Sequence, residues 1–322
     1  MADLILHHYQ GSLFSEKIRA ILGYKDLSWR SVEIAPIMPR PDLMPLTGGY
    51  RRTPVLQVGA DIFCDTHVIT ELLDGALGGG ALAGLGNSQP PLIPAGSEWS
   101  ARTLTQRADS HLFQVVVALC FQPEAVAPML QALGAEMAAR FAEDRAQLTA
   151  GGPPVATTPP EVATTWLLDE LGRLEQQLGE TDWLLGTVPC LADFAVYHCI
   201  WLLRNNPVVA PLVDPYPGVL AWLARLRELG HGDPEPMTSE RALAIGRESE
   251  PMQLEPDPAP ALPKDVELGG TVAVRATDYG VQPVTGILDR CTPHFAAVLR
   301  EDDDAGRVRV HFPRAGFRID PA

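Results

Sequence analysis

The beginning of the chain alternates short apolar runs with helical patterns, and this alternation restricts the fold more than any other feature of the sequence. Leu4–His8 is an apolar run, the chain then turns at Gly11, and apolar residues recur at helical spacing from Phe14 to Leu22. Alternating strands and helices are typical of α/β domains. We therefore expect an α/β domain over residues 1–76, beginning with a strand, a tight loop and a helix.

Ser12 lies in this first loop, at or near the first turn of the predicted helix. The first backbone N–H groups of a helix have no partner within the helix, and they form the positive end of its dipole. An anion is stabilised at such a position, and a bound thiolate would suit it.

Two further segments place polar groups where a strand or a helix begins. The run that starts at Thr53–Pro54 reads as a strand, which tolerates proline at its first residue. If that peptide bond is cis, the Thr53 backbone turns outward and can pair with a peptide ligand. Asp65 and Thr66 precede an apolar helical set, so carboxylate, hydroxyl and free N–H groups gather at a helix start. Such a corner can hold both charges of an amino acid.

The composition changes along the chain and predicts further domains. Residues 77–97 are rich in Gly, Ala, Leu and Pro and are expected to form a linker. A helical period follows over 98–249, which we interpret as an all-α domain. Its helices are predicted at about 98–122, 124–149, 160–180, 190–205, 217–229 and 238–248.

A second linker is predicted at the proline-rich stretch 250–264, and residues 265–322 then read as a small β-rich domain. Its β-rich segments are separated by Asp, Gly and Pro turns, and they are Gly270–Arg275, Val284–Leu288, Ala296–Arg300 and Val308–Phe312. We expect a small barrel of the SH3-like kind. The acidic run Glu301–Asp304 is interpreted as a solvated turn between strands.

Charge and composition exclude several classes of partner. The net charge is −15, whereas nonspecific binding to nucleic acid or to an anionic membrane requires a basic patch. We expect no membrane span and no signal peptide, because the sequence has neither a long apolar stretch nor a charged segment followed by an apolar core. The five cysteines lack CxxC spacing, which favours reduced thiols in a cytoplasmic protein. No histidine spacing of the HxxxH kind occurs, and no metal is expected.

The segment Trp183–Tyr197 contains a predicted capping box, with Cys190 at the N-cap and Asp193 at N3. A thiol accepts hydrogen bonds more weakly than a hydroxyl, so we expect a poorer cap in which Asp193 still bonds backward. The three N-terminal stretches and this segment together resemble the glutathione S-transferase superfamily over roughly residues 3–245. The resemblance implies a thioredoxin-like first domain, an all-helical second domain, a homodimer and glutathione as co-substrate.

The resemblance also implies that a side chain near the end of the first strand activates the glutathione thiol. Ser12 matches the position of the serine-type members, Tyr9 lies where tyrosine-type members carry a phenol, and Ser15 is a third candidate. Lowering the thiol pKa by about two units requires roughly 2.7 kcal/mol, which a charge-assisted hydrogen bond and a helix N-terminus can supply. Helix capping is the alternative role for both serines.

Glutathione binding is assigned by the same resemblance. Thr53 and Pro54 would pair with the peptide backbone of glutathione, Thr66 would bind its α-carboxylate, and Asp65 would bind its ammonium group. Arg52, with the arginine before it, is a candidate for the glycyl carboxylate. Helix capping by Asp65 and a purely structural Pro54 are the alternatives.

The second substrate is expected between the two domains. The candidate lining residues are Leu13, Phe14, His111, Val115 and Phe121, although apolar residues at helical spacing also fit core packing.

Besides peroxide reduction, which would use the same thiolate, three functions are open at this point. The first is transfer of glutathione to an electrophilic small molecule. The second is isomerisation of an unsaturated dicarboxylate, for which Arg102 and Arg107 would be the basic residues beside the substrate. The third is a non-catalytic binding protein that acts through the C-terminal barrel.

Overall fold

The computed structural model describes residues 3–75, 90–253 and 261–322. Most of the predicted linker 77–97 and the middle of the predicted linker 250–264 lie outside the described residues.

The N-terminal part is the predicted alternation of strands and helices. Its elements are β1 (Ile5–His8), α1 (Leu13–Tyr24), β2 (Ser28–Glu33), α2 (Met44–Thr47), β3 (Val55–Val58), β4 (Asp61–Cys64) and α3 (Thr66–Leu73). Strand β1 is parallel to β2 and antiparallel to β3, and β3 is antiparallel to β4. All four residues of β1, β3 and β4 are buried, so this sheet is covered on both faces.

The second part is helical, as predicted. Its elements are α4 (Glu98–Arg107), a π-helical turn (Ala108–Leu112), α5 (Phe113–Cys120), α6 (Pro123–Leu133), α7 (Ala135–Thr149), α8 (Pro160–Leu178), α9 (Leu191–Arg204), a 3₁₀ turn (Ala210–Leu212), α10 (Pro217–Glu228) and α11 (Ser239–Glu248). The single helix predicted at 124–149 is wrong. Gly134 separates α6 from α7 with φ 77° and ψ 161°, a conformation that ends a helix and that favours glycine.

The described part of the chain has no single helix that is both long enough and apolar enough to cross a membrane. The segments Glu98–Cys120 and Pro123–Leu133 reach that length and composition only together, and they are bent by 70° relative to each other.

The β-rich prediction for the C-terminal part is confirmed. Strands β6 (Thr271–Ala276), β7 (Val284–Cys291), β8 (Phe295–Asp302) and β9 (Gly306–Pro313) contain the predicted segments except for Gly270, which precedes β6, and β10 (Phe317–Pro321) follows them. The acidic run forms the end of β8 and the turn into β9, where the Asp302 carboxylate accepts the N–H groups of Asp304 and Ala305.

The C-terminal strands continue the thioredoxin-like sheet. The ten-stranded order is β10-β6-β7-β8-β9-β4-β3-β1-β2-β5, in which β5 is Asp233–Pro236. Parallel pairing of β4 with β9 aligns Ile62 with Val310 and joins the two halves. The sequence pattern does not predict β5, because its two prolines are tolerated only at a sheet edge. An SH3-like closure of the C-terminal strands stays a prediction.

The two largest hydrophobic clusters among the described residues support this arrangement. The larger lies between the thioredoxin-like part and the helices and includes Ile18, Phe63, Phe194 and Trp222. The second lies on the other side of the sheet, where residues such as Leu46, Ile62, Val298, Val310 and Phe312 pack together. The C-terminal strands therefore share a core with the first domain.

The start of α9 is organised by Asp193, which is fully buried. Its carboxylate accepts the Cys190 N–H (3.0 Å), the Leu184 N–H (3.0 Å) and the Trp222 indole N–H (2.9 Å). The Cys190 thiol also donates to it at 3.1 Å. The backward bond predicted for Asp193 is thus present, and the cysteine contributes as a donor.

We expect Asp193→Ala to lower the free energy of unfolding by about 3 kcal/mol or more, because three buried N–H donors lose their acceptor. Denaturant unfolding measures the change. Asp169→Ala is the matched control, since this helical aspartate is exposed and pairs with exposed Arg173; its effect should stay below about 0.5 kcal/mol. Equal effects of the two variants would contradict the role of Asp193.

Candidate functional site

A cavity of about 230 Å³ lies where the thioredoxin-like part, the helical part and the C-terminal strands meet. We call it the junction cavity. Its lining includes Thr53, Pro54, Asp65 and Thr66, so the two segments that were singled out from sequence lie at one site. The remaining lining residues are Phe14, Tyr50, Arg52, His67, Gln106, Asp109, Ser110, Phe113, Gln114, Pro153, Pro154, Val155, Thr277, Asp278, Tyr279, Ala315, Gly316 and Phe317.

The loop before β3 presents Thr53 and Pro54, and the peptide bond between them is cis. Arg40 holds this loop from behind, because its guanidinium donates to the Thr53 hydroxyl at 3.0 Å and to the Arg51 carbonyl at 2.8 Å. Burial lowers the pKa of Arg40 to about 10, which still leaves it charged at neutral pH. Arg51 pairs with Asp144 at 2.7 Å, while Arg52 faces the cavity.

Asp65 is the N-cap of α3, and its carboxylate accepts the His67 N–H at 3.0 Å. Its backbone has φ 92° and ψ 141°, which is rare for a residue with a side chain and is often found at ligand sites. The same carboxylate lies 3.7 Å from the Arg52 guanidinium. Asp65 therefore fills the capping role and also faces the cavity.

A cluster of buried charged groups lies beside Thr66, and its members Asp109 and His67 line the cavity. The Lys17 ammonium group is fully buried, lies 2.6 Å from the Asp109 carboxylate and reaches the Thr66 hydroxyl at 3.5 Å. The His67 ring contacts the same carboxylate at 3.1 Å. Burial disfavours the charged form of Asp109, but the charge of Lys17 and the hydrogen bond from His67 outweigh it and hold the pKa of Asp109 well below its usual range.

The π-helical turn after α4 carries Asp109. One extra residue in a helical turn redirects the side chains that follow, and such turns occur often at functional sites. The sequence provided no local signal for this ion pair, because Lys17 and Asp109 are 92 residues apart.

The predicted activating residues Tyr9, Ser12 and Ser15 are near Phe14 in sequence, but they are not among the described residues that line the cavity. Ser12 caps α1, since its hydroxyl oxygen accepts the Ser15 N–H at 3.2 Å, and it is buried. Ser15 is buried with no hydrogen-bond partner for its hydroxyl among the described residues. Tyr9 is half-buried, and its carbonyl accepts the Ser12 N–H at 3.1 Å. Thiol activation by Ser12 or Tyr9 stays a prediction.

The structure places one of the residues predicted for the second-substrate pocket at the junction cavity and the others elsewhere. Phe14 lines the junction cavity, whereas Leu13, His111, Val115 and Phe121 are not among its described lining residues. His111 packs against Trp166, with 5.3 Å between ring centroids, and Val115 belongs to the core.

The C-terminal strands contribute lining residues that the sequence did not indicate. Tyr279 and Asp278 lie against Arg52, which donates to the Tyr279 carbonyl at 3.0 Å and forms an ion pair with Asp278. The Arg52 guanidinium carbon also lies 4.1 Å from the centroid of the Tyr279 ring. Asp278 and Tyr279 are 226 and 227 residues from Arg52 in sequence, and packing of the C-terminal strands brings them together.

Among the described residues, no cluster of three or more His, Cys, Asp and Glu side chains has an arrangement suited to a metal ion. All five cysteines are buried, and no disulfide joins two of them in the part of the chain that the structure describes.

We expect His67→Gln to be most destabilising below pH 6.5. Burial lowers the pKa of His67, but the Asp109 hydrogen bond and the charges of Asp65 and Asp109 outweigh it and raise the pKa above its ordinary value of 6.5. Folding therefore favours the protonated ring, and this stabilisation is complete below pH 6.5 and is lost as the pH rises through the folded-state pKa. Denaturant unfolding from pH 5.5 to 9 measures the difference.

The control for this prediction is Asp109→Asn, which removes the carboxylate that raises the pKa of His67. In that background the effect of His67→Gln should lose its pH dependence. A difference between wild type and His67→Gln that grows as the pH rises would contradict the assignment.

Residues 6–80 match the family model of the glutathione S-transferase N-terminal domain, and residues 167–225 match that of the C-terminal domain. No match was found among curated protein sequences. A GST-like protein from Pseudomonas syringae is 39% identical, with 100% of each chain covered and a TM-score of 0.81. A glutathione S-transferase III in apo form shares the fold at 20% identity, covering 80% of this chain and 100% of its own, with a TM-score of 0.50. The chain belongs to the glutathione S-transferase superfamily.

Proposed function

We propose that this chain is a glutathione transferase that lowers the pKa of the glutathione thiol and joins it to an electrophilic small molecule. The observation that supports this most is the junction cavity itself. It is lined by Thr53, Pro54, Asp65 and Thr66, the residues to which the resemblance assigns glutathione binding. In this proposal the Thr53 backbone pairs with the peptide, and Thr66 and Asp65 hold the carboxylate and ammonium ends.

The ammonium of Lys17 favours an anionic ligand group at Thr66. It is fully buried and lies 3.5 Å from the Thr66 hydroxyl, so it adds positive potential where the α-carboxylate of glutathione is proposed to bind. Asp109 offsets part of this charge at 2.6 Å. The ion pair therefore places a positive group next to Thr66 without leaving an isolated buried charge.

Ser12 is the proposed activating residue, and its capping role is compatible with this function. A hydroxyl has one donor proton and two acceptor lone pairs, and the contact with the Ser15 N–H uses only a lone pair. The proton stays available for donation to a thiolate. The N-terminus of α1 adds the favourable end of a helix dipole.

In the proposed reaction the glutathione thiol releases its proton to water. The thiolate then attacks an electrophilic carbon, a carbon–sulfur bond forms, and the bond from carbon to the leaving group breaks. The leaving group departs with the bonding electron pair. Atoms and charge balance without a further co-reactant.

The isomerase alternative receives less support from the charges. Arg102 forms ion pairs with Glu71 and Glu98, and Arg107 pairs with Glu170. The charge of each guanidinium is thus already offset by at least one carboxylate. Arg102 lines a second cavity, of about 190 Å³, rather than the junction cavity.

The non-catalytic alternative depends on a C-terminal part that acts separately from the transferase fold. Its strands instead belong to the same sheet and contribute to the lining of the junction cavity. This favours a shared ligand site. Homodimer formation and a cytoplasmic location stay predictions.

We expect Ser12→Ala to bind glutathione but to raise the pKa of the bound thiol by about two units, because the anion loses its donor. At pH 7 a rise from a pKa of about 6.5 to about 8.5 lowers the thiolate fraction about 25-fold, and the rate of transfer should fall by a similar factor. Calorimetry measures binding, and a pH titration of the ultraviolet absorbance of the thiolate measures the pKa.

Two variants separate activation from capping. Ser12→Thr keeps a hydroxyl and should retain the low thiol pKa, while Ser12→Ala also loses a cap worth about 1 kcal/mol, which denaturant unfolding detects. If Tyr9→Phe rather than Ser12→Ala raised the thiol pKa, Tyr9 would be the activating residue. Absence of glutathione binding by the wild-type protein would overturn the proposed function.

A further inference from the structure

Two C-terminal segments form one side of the junction cavity. Thr277, Asp278 and Tyr279 belong to the turn between β6 and β7, while Gly316 and Phe317 lie at the start of β10. We call these two segments the C-terminal wall. The two segments are joined by hydrogen bonds, because the N–H and hydroxyl of Thr277 both donate to the Gly316 carbonyl, at 2.9 and 3.1 Å.

The C-terminal wall is fixed against the rest of the protein at several points. The Gly280 N–H donates to the Leu148 carbonyl at the end of α7 (2.7 Å), and a Cβ on Gly152 would clash with the Asp278 carbonyl oxygen. Arg52 binds the Tyr279 carbonyl from the side of the thioredoxin-like part. The position of the Tyr279 ring is therefore defined by both other parts of the chain.

Aromatic rings line the cavity on both sides. Phe14 and Phe113 come from the first helix and from α5, and their ring centroids are 5.1 Å apart. The Tyr279 ring lies 6.1 Å from Phe113 with 26° between the ring planes, and Phe317 lies near Arg52 on the C-terminal side. Arg52 covers one face of the Tyr279 ring, with its guanidinium carbon 4.1 Å from the centroid, so a further flat ring would meet the edges of these aromatic side chains.

The charges around these rings are compensated. Arg52 is shared between Asp65 and Asp278, and Asp109 is paired with Lys17. A negatively charged second substrate would meet these carboxylates without an unpaired arginine to bind it. The cavity is thus better suited to a neutral ring than to an anionic electrophile.

We propose that the C-terminal wall completes the second-substrate site and that Tyr279 is the residue that selects neutral electrophiles carrying a flat apolar ring. This inference rests on the proposed transferase function. It assigns to the C-terminal strands a direct part in substrate selection, in addition to their part in the sheet.

The test uses the full-length protein and two neutral electrophiles with the same leaving group, benzyl bromide and allyl bromide. In both reactions the thiolate forms a carbon–sulfur bond as the carbon–bromine bond breaks and bromide leaves. Tyr279→Leu should lower kcat/KM for benzyl bromide about tenfold, the effect of losing one aromatic contact, and change the value for allyl bromide less than twofold. Tyr279→Phe keeps the ring and should retain the preference.

Phe295→Leu is the matched control, because Phe295 is an aromatic residue of the same strands that lines the second cavity and not the junction cavity. It should leave the ratio of the two rates unchanged. A Tyr279→Leu variant that slows both bromides equally, or a Phe295→Leu variant that alters the ratio as much, would overturn the inference.

Binding distinguishes failure of this inference from failure of the proposed function. Calorimetry with glutathione, S-benzylglutathione and S-methylglutathione should show that Tyr279→Leu weakens only the benzyl ligand, about tenfold. If the wild type binds glutathione but binds the benzyl and methyl ligands equally, the inference is wrong and the transferase function stands. If the wild type does not bind glutathione, the proposed function fails and the inference fails with it.

Discussion

The buried carboxylate of Asp61 joins the two halves of the sheet. The C-terminal half supplies part of the lining of the junction cavity, so the set of residues at that cavity depends on this carboxylate. Asp61 is fully buried on β4 and accepts hydrogen bonds from His311 of β9 (2.7 Å), from Arg309 of β9 (3.3 Å) and from the Met252 N–H (2.6 Å). A buried carboxylate is costly to leave unpaired, so the C-terminal strands must be docked for β4 to keep its own position. The His311 ring also stacks on Phe63, with 4.3 Å between centroids.

The parallel pairing of β4 with β9 fixes the register of β9 in the sheet as well as its contact with β4. A shift by one residue would move the apolar side chains of β9 to the opposite face and separate Val310 and Phe312 from the second core. The register of β9 in turn determines where β10 and the β6–β7 turn lie, because all five C-terminal strands belong to one sheet. The hydrogen bonds at Asp61 therefore help to place the sheet from which the β6–β7 turn carries Tyr279 to the junction cavity. Pairing also covers β4, which would otherwise be an unprotected sheet edge.

The features that could be predicted from the sequence are those that neighbouring residues determine. The cap at Asp65, the backward bond of Asp193 and the strand after Pro54 each depend on a few adjacent positions, and each is present. The Lys17–Asp109 ion pair and the contact of Arg52 with Tyr279 depend on how separate elements pack, which no local pattern records. Strand β5 escaped prediction for another reason: its two prolines lower strand propensity, and only parallel pairing with β2 makes it a strand.

Arg52 links the two binding regions proposed for this cavity. In the described structure it contacts Asp65 at 3.7 Å, while it also binds Asp278 and the Tyr279 carbonyl. If the ammonium group of glutathione binds Asp65, it takes the place of a weak ionic partner, and Arg52 keeps its two stronger contacts on the C-terminal wall. The charge of Asp65 is then compensated both before and after glutathione binds, and the new ion pair offsets part of the cost of desolvating the ammonium group. Binding of glutathione would then leave Tyr279 in position for the second substrate, because the contacts that hold this residue are not those that the tripeptide replaces.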